Sequence, residues 1–164
     1  MRLVVQNAAD LRLTADGEDR GSIDKGLFVL VGVKKGDTPD IARAMADRLS
    51  KLRVIPDAKG RLNLSVTDPD ACADLAVVSN FTLYADCAAS RRPDFFQSAS
   101  FDEGKKLYDA FLAYLGLALK DRAAEGGRAV KTVTGVFGAD MEIGFRAVGP
   151  VTVILDSDQP GMVR

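Results

Sequence analysis

The stretch AVVSNFTLY, residues 76–84, places two hydroxyls and an amide (Ser79, Thr82 and Asn80) where an apolar strand run comes to an end. Hydroxyl and amide groups there can orient a reacting group, as at a catalytic edge. The plain alternative is a strand edge whose hydroxyls bond the backbone. None of these groups can call on a histidine, because the chain contains none. That removes Ser-His-Asp and Cys-His nucleophiles, the usual zinc ligand sets and histidine bases. Neither a Walker A pattern nor a G-x-G-x-x-G after a strand occurs. The carboxylates form no recognisable pair at predicted strand ends, which leaves a glycosidase poorly supported. Gly126-Gly127 reads as a helix stop and not as a phosphate cradle. An enzyme with this inventory works with hydroxyls, amides and backbone groups, and no metal or cofactor is expected.

Two more segments resist a simple propensity reading. In TGVFGADM, 134–141, two glycines and Phe137 interrupt a strand pair, as a bulge or turn would. In VGPVT, 148–152, Gly149-Pro150 precedes a strongly β segment and reads as a hairpin turn.

The elements that must position these residues follow from periodicity. Strands are expected at 2–6, 11–15 and 26–33, with a turn at Asp16-Gly17. The run GLFVLVGV is apolar almost throughout, as in a central strand covered on both faces. Thr38 caps a helix that begins at Pro39, with Asp40 in its first turn and Ile41, Met45, Leu49 and Leu52 on one face. A turn entering a short strand occupies 57–66, and another strand 75–79. The basic loop CAASRRPDFFQSAS leads to a second helix with a capping box, Ser100 and Glu103. Its apolar face carries Leu107, Tyr108, Phe111, Leu112, Leu115 and Leu119. Strands at 129–134, 140–147 and 151–155 close a single domain, 1–164. The order implies a mixed α/β fold with two main helices on one side of a curved sheet.

Composition agrees with a globular domain: 164 residues, 47% hydrophobic and 27% charged,. No run approaches the about 20 apolar residues of a membrane span, and MRLVVQ is too short for a signal peptide. Cys72 and Cys87 form no C-x-x-C pair and read as reduced thiols of a cytoplasmic chain. A net charge of −1 argues against affinity gained by wrapping a long phosphate backbone, but allows the end of a nucleic acid to be grasped through a few contacts,. Lys34-Lys35 and Arg91-Arg92 are available for those.

Taken in order, MRLVVQ, GLFVLVGV with GDT, KLRV with GRLNLSV, VVSNFTLYAD, RRPDF, LYDAF, TGVFGADM and GPVTVIL resemble the D-aminoacyl-tRNA deacylases over nearly the whole chain. The resemblance implies a three-layer α/β/β fold and a cytoplasmic homodimer. It implies an enzyme that hydrolyses the ester between a D-amino acid, or glycine, and the terminal adenosine of tRNA. The family's serine-glutamine-phenylalanine-threonine segment maps onto Ser79, Asn80, Phe81 and Thr82. Its glycine-proline motif, with a cis peptide bond that enters the other subunit's pocket, maps onto Gly149 and Pro150. Phe137 and Met141, with Ala139 between them, would lie by the terminal adenosine at the tRNA 3′ end.

Three positions depart from the family pattern. Asn80 stands where a glutamine is usual, which shortens the amide's reach. Asn7 replaces an arginine that helps to hold the glycine-proline motif, and Ala147-Val148 replaces Asn-Asp before it. Two other functions therefore stay open: a related deacylase of altered or relaxed specificity, and a non-catalytic protein that binds the tRNA end on the same scaffold.

Overall fold

Apolar alternation draws the N-terminal part of the chain into a long antiparallel hairpin in the computed structural model, which describes residues 1–88 and 90–163. Ala89, inside the expected basic loop, and Arg164 lie outside the described residues. Strand β1 (Arg2–Ala15) turns at Asp16-Gly17, both at positive φ, into β2 (Glu18–Gly32). The two short strands expected at 2–6 and 11–15 are one. Asp10, at φ 55, inserts an extra residue against the facing strand, so the alternation is reset without the strand ending,.

Helix α1 (Pro39–Ser50) starts as expected, with the Thr38 hydroxyl accepting the Ile41 N–H. A two-stranded ribbon, β3 (Ile55–Pro56) and β4 (Leu62–Leu64), precedes β5 (Asp74–Ser79). Helix α2 (Phe101–Ala124) has its predicted capping box: the Ser100 hydroxyl accepts the Glu103 N–H and donates to the Glu103 carboxylate at 2.9 Å. Strand β6 (Thr132–Thr134) is shorter than the expected 129–134. The Asp74 side chain takes the Lys131 N–H and holds the Arg128 guanidinium, so the approach to β6 bonds a side chain on one side, while the Lys131 carbonyl already accepts the Leu75 N–H of β5. Strand β7 (Met141–Asp156) completes the chain's regular elements.

The five-stranded sheet runs β6-β5-β2-β1-β7, with β1 antiparallel to β2 and β7, and β5 parallel to β2 and β6. Leu3, Val5, Leu27, Val29, Leu75 and Val77 point to one face, where Met45 and Leu49 of α1 and Tyr108 and Phe111 of α2 cover them. Burying each such side chain stabilises the fold by about 1.5–3 kcal/mol. Tyr108 ties the layers together by donating to the Val77 carbonyl at 3.1 Å. On the opposite face, Phe28, Ala76 and Val78 meet Leu11, Leu13 and Ile23 from the far ends of the hairpin, together with Met141, Ile143 and Phe145 of β7. The rings of Phe28 and Phe145 are 5.0 Å apart. The sheet thus folds back on itself, and helices, sheet and returning sheet make three layers.

Gly149-Pro150 is not a hairpin turn. Strand β7 continues through it: Ala147 pairs with Ala8 and Thr152 with Gln6, while Val148 to Val151 stand opposite Asn7 alone. The strand therefore loops outward at this point, exposed from Ala147 to Pro150, and the Gly149–Pro150 peptide is cis. The loop sits on the outer edge of the sheet, since β7 has a strand partner on one side only.

Candidate active site

A cavity of about 530 Å³ opens where the parallel neighbours β2 and β5 end. Val31 and Val33 form its floor beside Ser79, the last residue of β5. The following 3₁₀ turn (Phe81–Tyr84) makes one wall, the start of α2 a second, and the 137–141 connection into β7 a third.

The 3₁₀ turn forms because Asn80 caps it. The Asn80 Oδ1 accepts both the Thr82 N–H at 3.0 Å and the Thr82 hydroxyl at 2.5 Å. Two donors on one atom fix the amide's orientation and turn its NH₂ group away from Thr82. The turn is anchored by the Asn80 N–H on the Val31 carbonyl and by the Ser98 hydroxyl on the Phe81 carbonyl, both bonds close to a normal length. Two expectations change accordingly. The Thr82 N–H is consumed by the cap and is not available to a ligand. The Thr82 side chain bonds Asn80 and does not line the cavity.

The remaining polar groups sort by elimination. Ser98 is spent on Phe81, Ser100 on Glu103, and the Asn80 oxygen on Thr82. Among the described residues, the Ser79 hydroxyl, the Asn80 NH₂ and the Phe81 N–H have no hydrogen-bond partner. All three can donate. Among the described residues, none that lines the cavity is ionisable. Behind the wall, Tyr108 lies 5.8 Å from Phe137 between ring centroids; burial pushes its phenol well above the ordinary value, so it stays neutral. What this arrangement can do is hold an oxygen that carries developing negative charge, with fixed donors in an apolar setting and without proton transfer by a side chain.

The apolar walls are set by glycines. A Cβ on Gly104 of α2 would lie 3.1 Å from the Phe137 ring, and one on Gly138 would lie 2.6 Å from Phe101. A Cβ on Gly135 would run into the Met141 sulfur. These close approaches let Phe101 and Phe137 meet edge-to-face at 5.2 Å, with Met141 and Ala139 alongside. Opposite them, Phe81 and Phe95 form a second edge-to-face pair at 4.9 Å.

The structure thus brings Ser79, Asn80, Phe81, Phe137, Ala139 and Met141 to one cavity. Gly149 and Pro150 do not line it within the chain. Phe95, Phe101 and Gly104 are residues that sequence reasoning missed as site residues. Phe95 lay within the quoted RRPDF, and Phe101 and Gly104 read only as the start of a helix. Among the described residues, no cluster of acidic, cysteine or histidine side chains could hold a metal. Cys72 and Cys87 are free thiols, and among the described residues no helix is long and apolar enough to cross a membrane.

A fold-back α/β sheet with a donor-lined, uncharged cavity can support ester hydrolysis, and comparison with known proteins places the chain among the ester hydrolases. The sequence pattern of D-Tyr-tRNA(Tyr) deacylase matches residues 4–156, and the chain belongs to that family. It is 43% identical over 157 residues to a D-aminoacyl-tRNA deacylase of Clostridium perfringens, covering 96% of this chain and 97% of the relative. It is 41% identical over 162 residues to that of Thermus aquaticus, covering 98% and 99%. Among solved structures, a c-Myc DNA unwinding element binding protein superposes with a TM-score of 0.79 at 30% identity, covering 97% of this chain and all of that one. A probable eukaryotic D-amino acid tRNA deacylase shares the fold, with a TM-score of 0.69 at 18% identity over 93% and 97% of the chains.

Proposed function

We propose that this protein hydrolyses the ester that joins a D-amino acid, or glycine, to the terminal adenosine of tRNA, and that it works as a homodimer in the cytoplasm. The observation that carries the reading is the pairing of fixed donors with a complete lack of ionisable side chains in the cavity. An aminoacyl ester is already activated, so it needs its oxyanion held more than it needs a strong base. The ester carbonyl accepts from the Phe81 N–H and the Asn80 NH₂. Water adds to the carbonyl carbon, and the neighbouring ribose hydroxyl of the substrate helps to move its proton. The bond to the ribose oxygen then breaks, that oxygen takes the proton, and free amino acid leaves the tRNA. Each donor of this kind is worth about 10²–10³ in rate. The adenine lies between Phe137 and Met141, beside Ala139.

Chirality is selected by exclusion. The outward loop at Gly149-Pro150, on the sheet's free edge, reaches the cavity of a second subunit. There its carbonyls accept the substrate's ammonium group and leave no space for an L side chain; glycine, with no side chain, still enters. At the base of this loop Gln6 donates to the Thr152 hydroxyl at 3.2 Å and Ala8 pairs with Ala147. Asn7, in the position of the family's arginine, is buried and donates to the Val54 carbonyl at 2.8 Å.

Release of label from D-Tyr-, L-Tyr- and Gly-tRNA tests the reading. Turnover of the D and glycyl esters with the L ester spared supports it. Equal turnover of D and L esters would replace it with a deacylase of relaxed specificity. Saturable tRNA binding with no turnover would leave a binding protein.

A further inference from the structure

A second, more open depression of about 710 Å³ adjoins the cavity and shares Phe95, Ser98 and Ser100 with it. Its outer wall is Phe96 with Lys35. The consecutive rings of Phe95 and Phe96 part company: Phe95 turns in against Phe81, while Phe96 is 76% exposed, more than any other large apolar side chain of the described residues. That exposure is not the slack of a loose loop. The Phe96 N–H donates to Asp94 Oδ1 at 3.2 Å, and the Ser98 N–H to the Phe95 carbonyl at 3.0 Å. The Lys35 N–H bonds the Gln97 carbonyl, and the Ala99 N–H the Val33 carbonyl, so the turn is stitched to the end of β2. A bare ring held rigidly in water costs free energy unless something covers it.

The ring's neighbours and its place beside the cavity point to what does. The Lys35 ammonium lies 6.0 Å from the Phe96 ring centroid. Among the described residues, Lys35 is in no ion pair. Two carboxylates, Asp94 and Glu103, also line this depression; they accept from the Phe96 N–H and the Ser100 hydroxyl and keep their negative charge, so the Lys35 ammonium is the one attractive point for an anion among the described lining residues. Gly36 leaves the floor open, with nothing within 4 Å of where its Cβ would be. A flat apolar face beside an unpaired cation suits a single-stranded nucleotide, whose base stacks and whose phosphate takes the charge.

We propose that Phe96 and Lys35 form a subsite for the nucleotide immediately 5′ of the terminal adenosine, its base on the Phe96 ring and the phosphate that links it to the adenosine on the Lys35 ammonium. The proposal rests on the reading of the adjoining cavity as the terminal-adenosine site, because the shared wall of Phe95, Ser98 and Ser100 lets one strand run from the first depression into the second.

Binding of adenosine and of the dinucleotide CpA, measured by calorimetry on the intact protein, tests it without relying on turnover. The expected result is that CpA binds wild type about tenfold more tightly than adenosine, towards the lower end of what stacking one base contributes. Phe96→Ala erases that advantage and leaves adenosine affinity unchanged, Phe96→Trp keeps it, and Lys35→Ala makes CpA binding less sensitive to salt. If CpA gains nothing over adenosine, or Phe96→Ala weakens both ligands alike, the subsite is overturned while the cavity reading stands. If CpA binds through Phe96 but adenosine does not bind, the subsite stands and the adenosine reading fails. Absence of binding by either ligand overturns both.

Discussion

At the scale of single residues, Asn80 carries more of the site than its hydroxyl neighbours. Asn80 lines the cavity, its oxygen builds the turn and its NH₂ has no partner among the described residues, so Asn80→Ala should lower kcat on D-Tyr-tRNA by about 10²–10³ if the proposed oxyanion donor is lost,. Thr82→Ala removes one bond to Asn80 but leaves the backbone bond in place. Its expected loss is about tenfold or less, the scale of one hydrogen bond. If Thr82 were the nucleophile, Thr82→Ala would abolish turnover, and single-turnover assays separate the two. The uncharged lining gives a second prediction. Between pH 5 and 8 the only ionisation in the kcat/KM profile should be the substrate's own α-ammonium group. It should vanish with an N-acetylated aminoacyl ester, whereas an inflection that persists would reveal a protein group acting in the reaction.

At the scale of elements, the cavity depends on how closely α2 and the 134–141 segment approach. Gly104→Ala removes a helix-interior glycine, which favours α2 by up to about 1 kcal/mol. Its new Cβ would crowd Phe137 at 3.1 Å. Tm should therefore hold or rise while KM increases several-fold, a split that calorimetry and kinetics on one preparation will expose. The connection before β5 is held differently. The Ser65 N–H donates to the Asp68 carboxylate at 2.7 Å, with the Ser65 hydroxyl adding a second bond, and these hold the carboxyl below its ordinary value. A carboxyl whose pKa is depressed by folding stabilises the protein above its unfolded value of about 3.9, and that contribution is lost as pH falls through the folded value. The Tm gap between wild type and Asp68→Asn should be full at pH 7 and close towards pH 2. A gap that stays constant with pH would show that Asp68 is not linked to stability by ionisation.

At the scale of the whole molecule, the donors and the Gly149-Pro150 loop belong to different parts of the surface within one chain. In the proposed dimer each site is completed by its neighbour, which a mixing experiment can detect. Asn80→Ala subunits keep the loop but lose the donor, and Pro150→Ala subunits keep the donor but alter the loop. Mixed after unfolding and refolding, equal amounts should recover about a quarter of wild-type D-selective activity, since half of the dimers are mixed and each has one intact site. Recovery no greater than the mean of the two variants would show that every chain works with its own loop. The exposed Ile154, further along the same edge strand, offers a structural counterpart. Ile154→Lys should shift sedimentation towards monomer and reduce activity with it, if this edge is the subunit contact.

Much was legible beforehand because it is encoded locally. The Thr38 and Ser100 caps, the apolar faces of both helices, the run at 26–33 and the end of β5 at Ser79 each depend on neighbours a few residues away, so their patterns survive in a linear reading. The missing histidine alone excluded whole reaction classes. Other features needed the folded chain. The reset of β1 at Asp10 and the outward loop in β7 are defined against partner strands, and no local signal distinguishes Gly149-Pro150 in a bulge from the same pair in a hairpin. Nor does the string SNFT say that Asn80 would consume the Thr82 N–H and leave that of Phe81, because which donors remain is decided by what else is bonded. Phe101 and Gly104 joined the site only when α2 was laid against residues 137–141. Sequence alone therefore determined the kinds of groups available and the elements that carry them; tertiary structure decided which groups stayed unpaired and faced one another, since pairing across the chain depends on distances that spacing along it does not specify.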